Sequence, residues 1–339
     1  MSRIRSNLLR SGVASLILVT AGVASGKEIT VGYVAAGLQY PFNVAVAKGF
    51  SDAAKAAGAK AIILDPKTSV EKQGNAIDDL ISQKVDGIAF LPLDGVVAQS
   101  WADRVATHNI PLVAVATELG DPQKRSIQDV YPKLTALVAS DEVRTGYNAG
   151  EIAVKLLPKG RVANIAIVEG APGYPQVWQR TKGFKDALDK AGSKYRVVAS
   201  QPTDWTAEKG ESVCQNILTA HPDVDLFYNQ ADDMVIGCAR AVRAAGSKAK
   251  LVGWGGSRLG INAIKAGDVD GTVCVQPENM GQQAFKALYA AVTDPQAAKG
   301  KFIEIATPEV TKEKHIELRS AMVIDGAGVV TLHYVHQFT

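Results

Sequence analysis

The sequence is short of the residues from which most catalytic and metal sites are made. Cysteine occurs three times and histidine five times in 339 residues. No cysteine pair forms C-x-x-C, and His108, His221, His315, His333 and His336 show no ligand spacing with the cysteines, so neither a metal nor any other cofactor is expected. Charge of one sign is also missing from the body of the chain. The 37 basic residues exceed the 34 acidic ones by three, and Arg3, Arg5 and Arg10 all lie in the first ten positions. Without them the charges balance, which removes the electrostatic case for a nucleic-acid or anionic-membrane partner. No apolar run reaches the ~20 residues of a membrane span, and no repeat of about 20–50 residues recurs.

What remains is an ordinary globular composition, 47% hydrophobic and 21% charged, of a length that suits two domains of ~100–200 residues each. The basic start is followed by an apolar stretch from Ser11 to Ser25 with small residues before the polar step Gly26-Lys27-Glu28. That order reads as a secretory signal peptide over residues 1–25, which places the mature chain in an oxidising compartment outside the cytoplasm. In an oxidising compartment Cys214 and Cys238, on helices flanking the strand from Asp225 to Asn229, suit either a disulfide between neighbouring helices or two buried thiols.

From Ile29 onward short β-branched runs alternate with amphipathic segments. Strands are expected over Ile29–Ala35, Ala61–Asp65, Gly87–Pro92 and Pro111–Ala116, with helices over Pro41–Gly58, Ser69–Gln83 and Val96–His108 between them. Gly120 to Leu134 interrupts the rhythm. It then restarts with strands at Ala136–Ser140, Val162–Glu169, Arg196–Ser200, Asp225–Asn229, Lys250–Trp254 and Thr272–Gln276. The helices between them are Val143–Leu157, Pro175–Ala191, Ala207–His221, Asp232–Ala245 and Gly260–Ala266, and Glu278–Thr293 follows the last strand. Continuous apolar strands separated by helices mean buried parallel sheets, and the break suggests an α/β chain of two doubly wound lobes.

Such sheets bind ligands at the carboxyl ends of their strands. The loops there hold no G-x-G-x-x-G, no phosphate-binding Lys-Ser/Thr pair and no histidine to activate a serine, so no enzyme is expected. They do hold aromatic residues followed by polar ones: Tyr40 and Phe42, Tyr174 and Trp178, Trp205, and Trp254. Flat apolar faces beside a few fixed donors suit a neutral polyhydroxylated ligand. Trp101, inside a helix, reads as packing.

These residues resemble a known family, the type I periplasmic solute-binding proteins of sugar ABC transporters. The likeness runs from Glu28 to about Lys314. It rests on Tyr40-Pro41-Phe42 with Lys48-Gly49, Asp86-Gly87-Ile88 with Pro92, Ala139-Ser140-Asp141, and Arg180 with Gly183-Phe184. Ala199-Ser200-Gln201-Pro202 with Trp205, Leu218 to Val224, Asp232-Asp233-Met234 with Gly237, and Gly253-Trp254 add to it. The resemblance implies two lobes joined by a three-segment hinge, residues 28–140 with 276–306 and residues 141–275 with 307–320. It implies chain crossings near Thr117 to Ser140, Trp254 to Ser257 and Gln276 to Glu278. Residues 321–339 form a tail without a physical account.

It also implies a monomer that closes on its ligand and delivers it to an ABC permease in the inner membrane. A chemotaxis or sensor co-receptor, or a nucleoside or nucleobase receptor, would use the same pocket. Phe42, Trp205 and Trp254 then stack on the ligand and Arg180 holds its oxygens. Tyr40, Asn43, Glu118, Trp178, Gln230, Asp232 and Gln276 complete the expected site, with Gln39, Asn229 and Asp233 as further polar groups. Asp232 has a second reading, as a helix cap. Against the family pattern, Tyr40 stands for the usual Asn, Ala116-Thr117 for Asp-Arg, Ala231 for Asn, Gly255 for Asp and Val275 for the hinge Gln. Those losses suggest a ligand with fewer or differently placed hydroxyls than ribose or galactose.

Overall fold

The computed structural model describes residues 28–294, 296–297, 299–312, 322–324 and 330–332. The segment 1–25 expected to be a signal peptide, residues 313–320 and most of the tail lie outside the described residues. The chain begins with β1 (Thr30–Val34), α1 (Pro41–Ala56), β2 (Lys60–Leu64), α2 (Val70–Ser82), β3 (Gly87–Phe90), α3 (Gly95–Thr107), β4 (Leu112–Val115) and β5 (Ala136–Ala139). It continues with α4 (Glu142–Leu156), β6 (Ala163–Glu169), α5 (Pro175–Lys190), β7 (Tyr195–Pro202), α6 (Ala207–Ala220) and β8 (Leu226–Asn229). Then come α7 (Asp232–Ala244), β9 (Lys250–Val252), α8 (Arg258–Ala266), β10 (Gly271–Val273), α9 (Pro277–Thr293), β11 (Lys301–Glu304) and β12 (Glu309–Thr311).

Helix starts carry their own signals. Ser69, Asp94, Asp141, Thr206 and Ser257 accept backbone N–H groups as N-caps, each replacing a partner the first turn lacks. Proline opens α1, α5 and α9, where its missing N–H costs nothing.

Two six-stranded sheets result, ordered β11-β5-β4-β3-β1-β2 and β12-β10-β9-β8-β6-β7. All neighbours are parallel except β12, which runs antiparallel to β10. Each sheet is covered on both faces. Val46, Phe50, Met280 and Leu288 of α1 and α9 lie under one side of the first sheet, and Ile77, Leu80, Trp101 and Val105 of α2 and α3 under the other. In the second lobe α6 and α7 cover one face and α4 and α5 the other. This two-sided burial explains why the strands read as continuous apolar runs rather than alternating ones. Trp101 is a core residue, edge-on to Phe90 at 6.4 Å.

The chain passes between lobes at Ser140–Asp141, at Cys274–Gln276 and at Ile305–Pro308. The crossing expected at Trp254 to Ser257 does not occur there. Gly255 and Gly256, both with positive φ, turn the chain into α8, which returns it to β10 beside β9 in the same sheet. The third crossing instead joins β11, paired with β5, to β12. Neither of these short strands is evident from the sequence pattern. In the tail, β13 (Met322–Ile324) and β14 (Val330–Leu332) pair antiparallel. Of the two readings of the cysteines, the disulfide is the one found: Cys214 of α6 and Cys238 of α7 are bonded, their Cα atoms 5.3 Å apart. Cys274, at the second crossing, is free.

Candidate ligand-binding site

Both sheets point the carboxyl ends of their strands at the space between the lobes. A cavity of about 150 Å³ lies there, lined by residues from the loops and helix starts that follow the strands of both sheets. The first lobe supplies Ala36 after β1, Leu91, Pro92 and Leu93 after β3, Ala116 and Thr117 after β4, Thr68 after β2, and Tyr40 to Asn43 at the start of α1. The second supplies Tyr174 and Gln176 after β6, Trp205 after β7, Ala231 and Asp233 after β8, Trp254 after β9, and Arg180 and Glu142 from α5 and α4.

Arg180 organises the second-lobe face. Helices α4 and α5 approach so closely that a Cβ on Gly146 would lie 2.1 Å from the Arg180 carbonyl oxygen and one on Gly183 1.8 Å from that of Val143. That contact sets Arg180 against the first residue of α4. Its Nε donates to Glu142 Oε2 at 2.7 Å and its Nη1 to the Gln230 carbonyl at 2.9 Å. Both side chains of this ion pair are buried, at 6% and 9% exposure. The guanidinium carbon lies 3.3 Å from the centroid of the Trp254 ring and 5.7 Å from that of Trp205, a cation–π arrangement out of bulk water. Among the described residues no hydrogen bond from Nη2 is found.

The aromatic walls are held as firmly. Trp205 has φ +71°, the left-handed region, and its N–H donates to Thr203 Oγ1 at 3.2 Å while that hydroxyl donates to the Glu169 carbonyl at 2.7 Å. The ring passes over Gly170, where an added Cβ would come within 1.7 Å of it, and meets Tyr174 edge-on at 6.0 Å. Phe42 reaches across the cleft to Trp254, ring centroids 6.1 Å apart. Asp233 lines the same face, and burial pushes its carboxyl above the usual carboxylate range.

Tyr40, Phe42, Asn43, Arg180, Trp205 and Trp254 therefore meet at one cavity. Asn43 spends its amide N–H on the Gly37 carbonyl at 2.8 Å. The other expected residues lie elsewhere. Gln230 is fully buried, donating to the Val177 carbonyl and Thr181 Oγ1 and accepting from the Gly170 N–H. Asp232 accepts from Thr272 Oγ1 and from the Ser257 N–H, so its carboxylate serves the start of α8 rather than that of its own helix. Burial raises its pKa against those hydrogen bonds. Gln276, itself at φ +49°, donates to the Ala306 carbonyl and ties two crossings together. Trp178 is 38% exposed on an outer groove with Val96 and Pro175. Glu118 lines a smaller neighbouring cavity and accepts from Gln179 Nε2 at 3.2 Å. Gln39 is not among the lining residues, and Asn229 is fully buried.

Sequence reasoning did not single out Glu142, Thr117 or Gln176 as site residues. A signal existed for Gln176, which stands one turn before Arg180 on the same face of α5. Glu142 had a weaker one, following the crossing at Ser140-Asp141.

Two parallel-sheet lobes, three crossings and a cavity between the lobes at the strand ends define a two-lobed solute-binding protein of type I. Residues 31–296 match the periplasmic binding protein domain, and the chain belongs to that family. It is 32% identical over 261 residues to the ribose import binding protein RbsB of Bacillus subtilis (strain 168), covering 77% of this chain and 81% of the relative. Its fold is similar to that of an ABC transporter solute-binding protein from Actinobacillus succinogenes with bound D-allose, with TM-score 0.77, 23% identity, and coverage of 86% of this chain and 100% of that one. The Caulobacter myo-inositol binding protein is similar too, with TM-score 0.76, 24% identity, and coverage of 86% and 96%.

Proposed function

We propose that this protein is the receptor of an ABC importer, capturing a small neutral polyhydroxylated solute between its lobes and releasing it unchanged to a permease. The observation that carries this reading is the cavity itself: aromatic rings from both lobes face a space bordered by a few fixed polar groups. Ring faces cover C–H surfaces while Arg180 and Asp233 address hydroxyls. The ribose import role of the Bacillus subtilis relative supports it. So does the opening segment 1–25, whose pattern directs the chain to the periplasm.

Ala36, Ala116 and Ala231 stand where they can offer a hydroxyl nothing. A hydroxyl buried against such a wall goes unpaired, at about 1–3 kcal/mol. The preferred ligand thus has fewer or differently placed hydroxyls than ribose or a hexopyranose: a sugar alcohol, a furanose or modified sugar, or a cyclitol. Closure about the three crossings completes the site, because neither lobe encloses it alone.

A thermal-shift screen against sugars, polyols, cyclitols and nucleosides tests the assignment. At about 100 times its Kd a ligand adds ~2.7 kcal/mol of apparent stability. One neutral polyhydroxylated compound is expected to raise the melting temperature and be recovered intact. A screen in which only nucleosides act, or in which the compound is consumed, overturns the reading.

A further inference from the structure

A buried carboxylate lies beneath one wall of the cavity, held by neutral donors. Asp232, the first residue of α7, is 2% exposed and does not itself line the cavity. Its Oδ2 accepts from the Ser257 N–H and its Oδ1 from Thr272 Oγ1, each at 2.6 Å. Taking a charge out of water is costly unless something replaces the hydration. Here α7 begins at Asp232 and α8 begins one residue after Ser257, so two helix N-termini converge on the carboxylate. Room for it comes from missing side chains. A Cβ on Gly253 would lie 2.7 Å from Oδ1, and a Cβ on Gly260 or Gly255 would lie 2.4 Å or 3.1 Å from Oδ2. Glycine at all three positions is what admits the carboxylate.

What Asp232 holds is the turn between β9 and α8, and that turn carries Trp254. Gly253, Gly255 and Gly256 bring no side chains of their own to pack it. One edge of the turn is bound by backbone to β10 and the crossing after it. The Gly253 N–H donates to the Gly271 carbonyl at 2.9 Å, the Gly255 N–H to the Val273 carbonyl at 2.8 Å, and the Val275 N–H to the Gly255 carbonyl at 3.1 Å. The other edge ends at Ser257, whose N–H is the one Asp232 accepts. Thr272, in β10, donates to the same carboxylate, so Asp232 closes the turn onto the strand. Trp254 stands within it, its ring between the cavity and the core under α4 and α5. The Arg180 guanidinium carbon is 3.3 Å from the centroid of that ring, and the Phe42 ring 6.1 Å away.

We propose that Asp232 is a positioning residue whose carboxylate fixes the β9–α8 turn so that the Trp254 ring stands against Arg180 and the ligand space. It acts on the ligand through Trp254 and does not touch it. The inference rests on the solute-receptor reading of the cavity and adds to it the residue that sets one wall. The requirement is geometric rather than a need for charge. Asparagine meets it, with Oδ1 accepting from the Ser257 N–H and Nδ2 donating to the Thr272 hydroxyl, which accepts as readily as it donates.

The test uses the full mature chain and two readouts. The first needs no ligand: the near-ultraviolet circular dichroism of each protein minus that of its Trp254→Leu counterpart isolates the surroundings of this one ring. Asp232→Asn is expected to keep the wild-type difference spectrum and Asp232→Ala to lose most of it. The second is calorimetry with erythritol, ribitol, myo-inositol and D-ribose. For whichever probe the wild type binds, Asp232→Ala is expected to weaken affinity about tenfold and Thr272→Val about threefold. Asp232→Asn restores it. In the Trp254→Leu background Asp232→Ala should cost about twofold at most, because the wall it positions is gone. A general loosening of the lobe would instead cost the same factor in both backgrounds. Thr272→Val, which keeps the shape of the side chain, carries the same test should Asp232→Ala fail to fold. An unchanged difference spectrum, or equal losses with and without Trp254, overturns the positioning role and leaves the receptor reading intact. If the wild type takes up none of these probes while the spectra change as expected, the polyol reading falls and the positioning of Trp254 stands.

Discussion

The two faces of the cavity are built from the same strand-end loops and carry opposite chemistry. On the first-lobe face, Ala36, Pro41, Phe42, Leu91, Pro92, Leu93 and Ala116 form an apolar wall, and Asn43 and Thr68 spend their donor groups on nearby backbone carbonyls. The second-lobe face holds every charged lining residue, Glu142, Arg180 and Asp233. The second lobe also contains the Cys214–Cys238 disulfide. The difference implies a division of labour: the second lobe recognises, and the first covers and excludes water. A ligand meeting an open protein then gains most of its polar contacts before closure, and the first lobe adds burial.

The largest effect is expected at Arg180. Arg180→Ala leaves Glu142 buried without its cation, which costs ~3–5 kcal/mol of stability, and removes the ligand's charged donor. Chemical denaturation should show the destabilisation and calorimetry the loss of binding. The double variant Arg180→Met/Glu142→Leu should regain stability without regaining affinity. Retained binding in either protein would mean that the first-lobe face does the recognising.

Next is the disulfide. Closing a loop across 24 residues restricts the unfolded second lobe by about 3 kcal/mol on the chain-entropy account. Cys214→Ala/Cys238→Ala should therefore lower the melting temperature by roughly 6–12 °C. Native-state hydrogen exchange should place the new opening in α6 and α7, with β1 to β4 protected as before. Equal loosening of both lobes would contradict their independence.

Trp205→Ala removes one stacking wall of the recognising face and should weaken binding by roughly 2–3 kcal/mol, about 30- to 150-fold. Phe42→Ala, on the covering face, should act mainly by making the lobes easier to open. Small-angle scattering distinguishes the two: at saturating ligand the Trp205 variant still contracts, whereas the Phe42 variant contracts incompletely.

The smallest effect concerns pH. Burial raises the pKa of Glu118, with Glu142 and Asp141 adding to the rise and the hydrogen bond from Gln179 opposing it. A carboxyl raised in the closed form favours closure when protonated. Closure is thus most stable below the ordinary glutamate range and weakens as pH climbs to the raised value. Wild-type affinity should improve slightly on acidification, and Glu118→Gln should lose that part of the dependence. Asp233, also raised, is present in both proteins and cancels in the comparison.

Particular residues show where sequence reasoning stopped. The resemblance pointed to Arg180, and its planar fork gave the role a physical rationale, but not the knowledge that Glu142 and the Gln230 carbonyl already occupy two of its donors. Gln230, Asp232 and Gln276 are polar residues in the right loops, and each is committed elsewhere, to Thr181, to Thr272 and Ser257, and to Ala306. A hydrogen-bonding side chain advertises its chemistry in the sequence but not its partner. The missed strands β11 (Lys301-Phe302-Ile303-Glu304) and β12 (Glu309-Val310-Thr311) lie at sheet edges and carry only one or two apolar residues between polar ones, unlike the continuous apolar runs of the buried strands. They exist because a sheet edge is there to receive them.

By itself, the sequence determined the alternation of strand and helix, the α/β class, the two-lobed plan and the clustering of tryptophans at strand ends. These are properties of periodicity and of neighbours along the chain, and a parallel strand buried on both faces announces itself as an apolar run. Only the tertiary structure decided the Arg180–Glu142 pair, 38 residues apart, and the Gln176–Thr117 bond, 59 residues apart. It also decided which of two readings the cysteines took. Each depends on how closely two helices or two lobes approach, and that distance is set by the packing of α4 on α5, of α6 on α7 and of one lobe on the other, which no local pattern encodes.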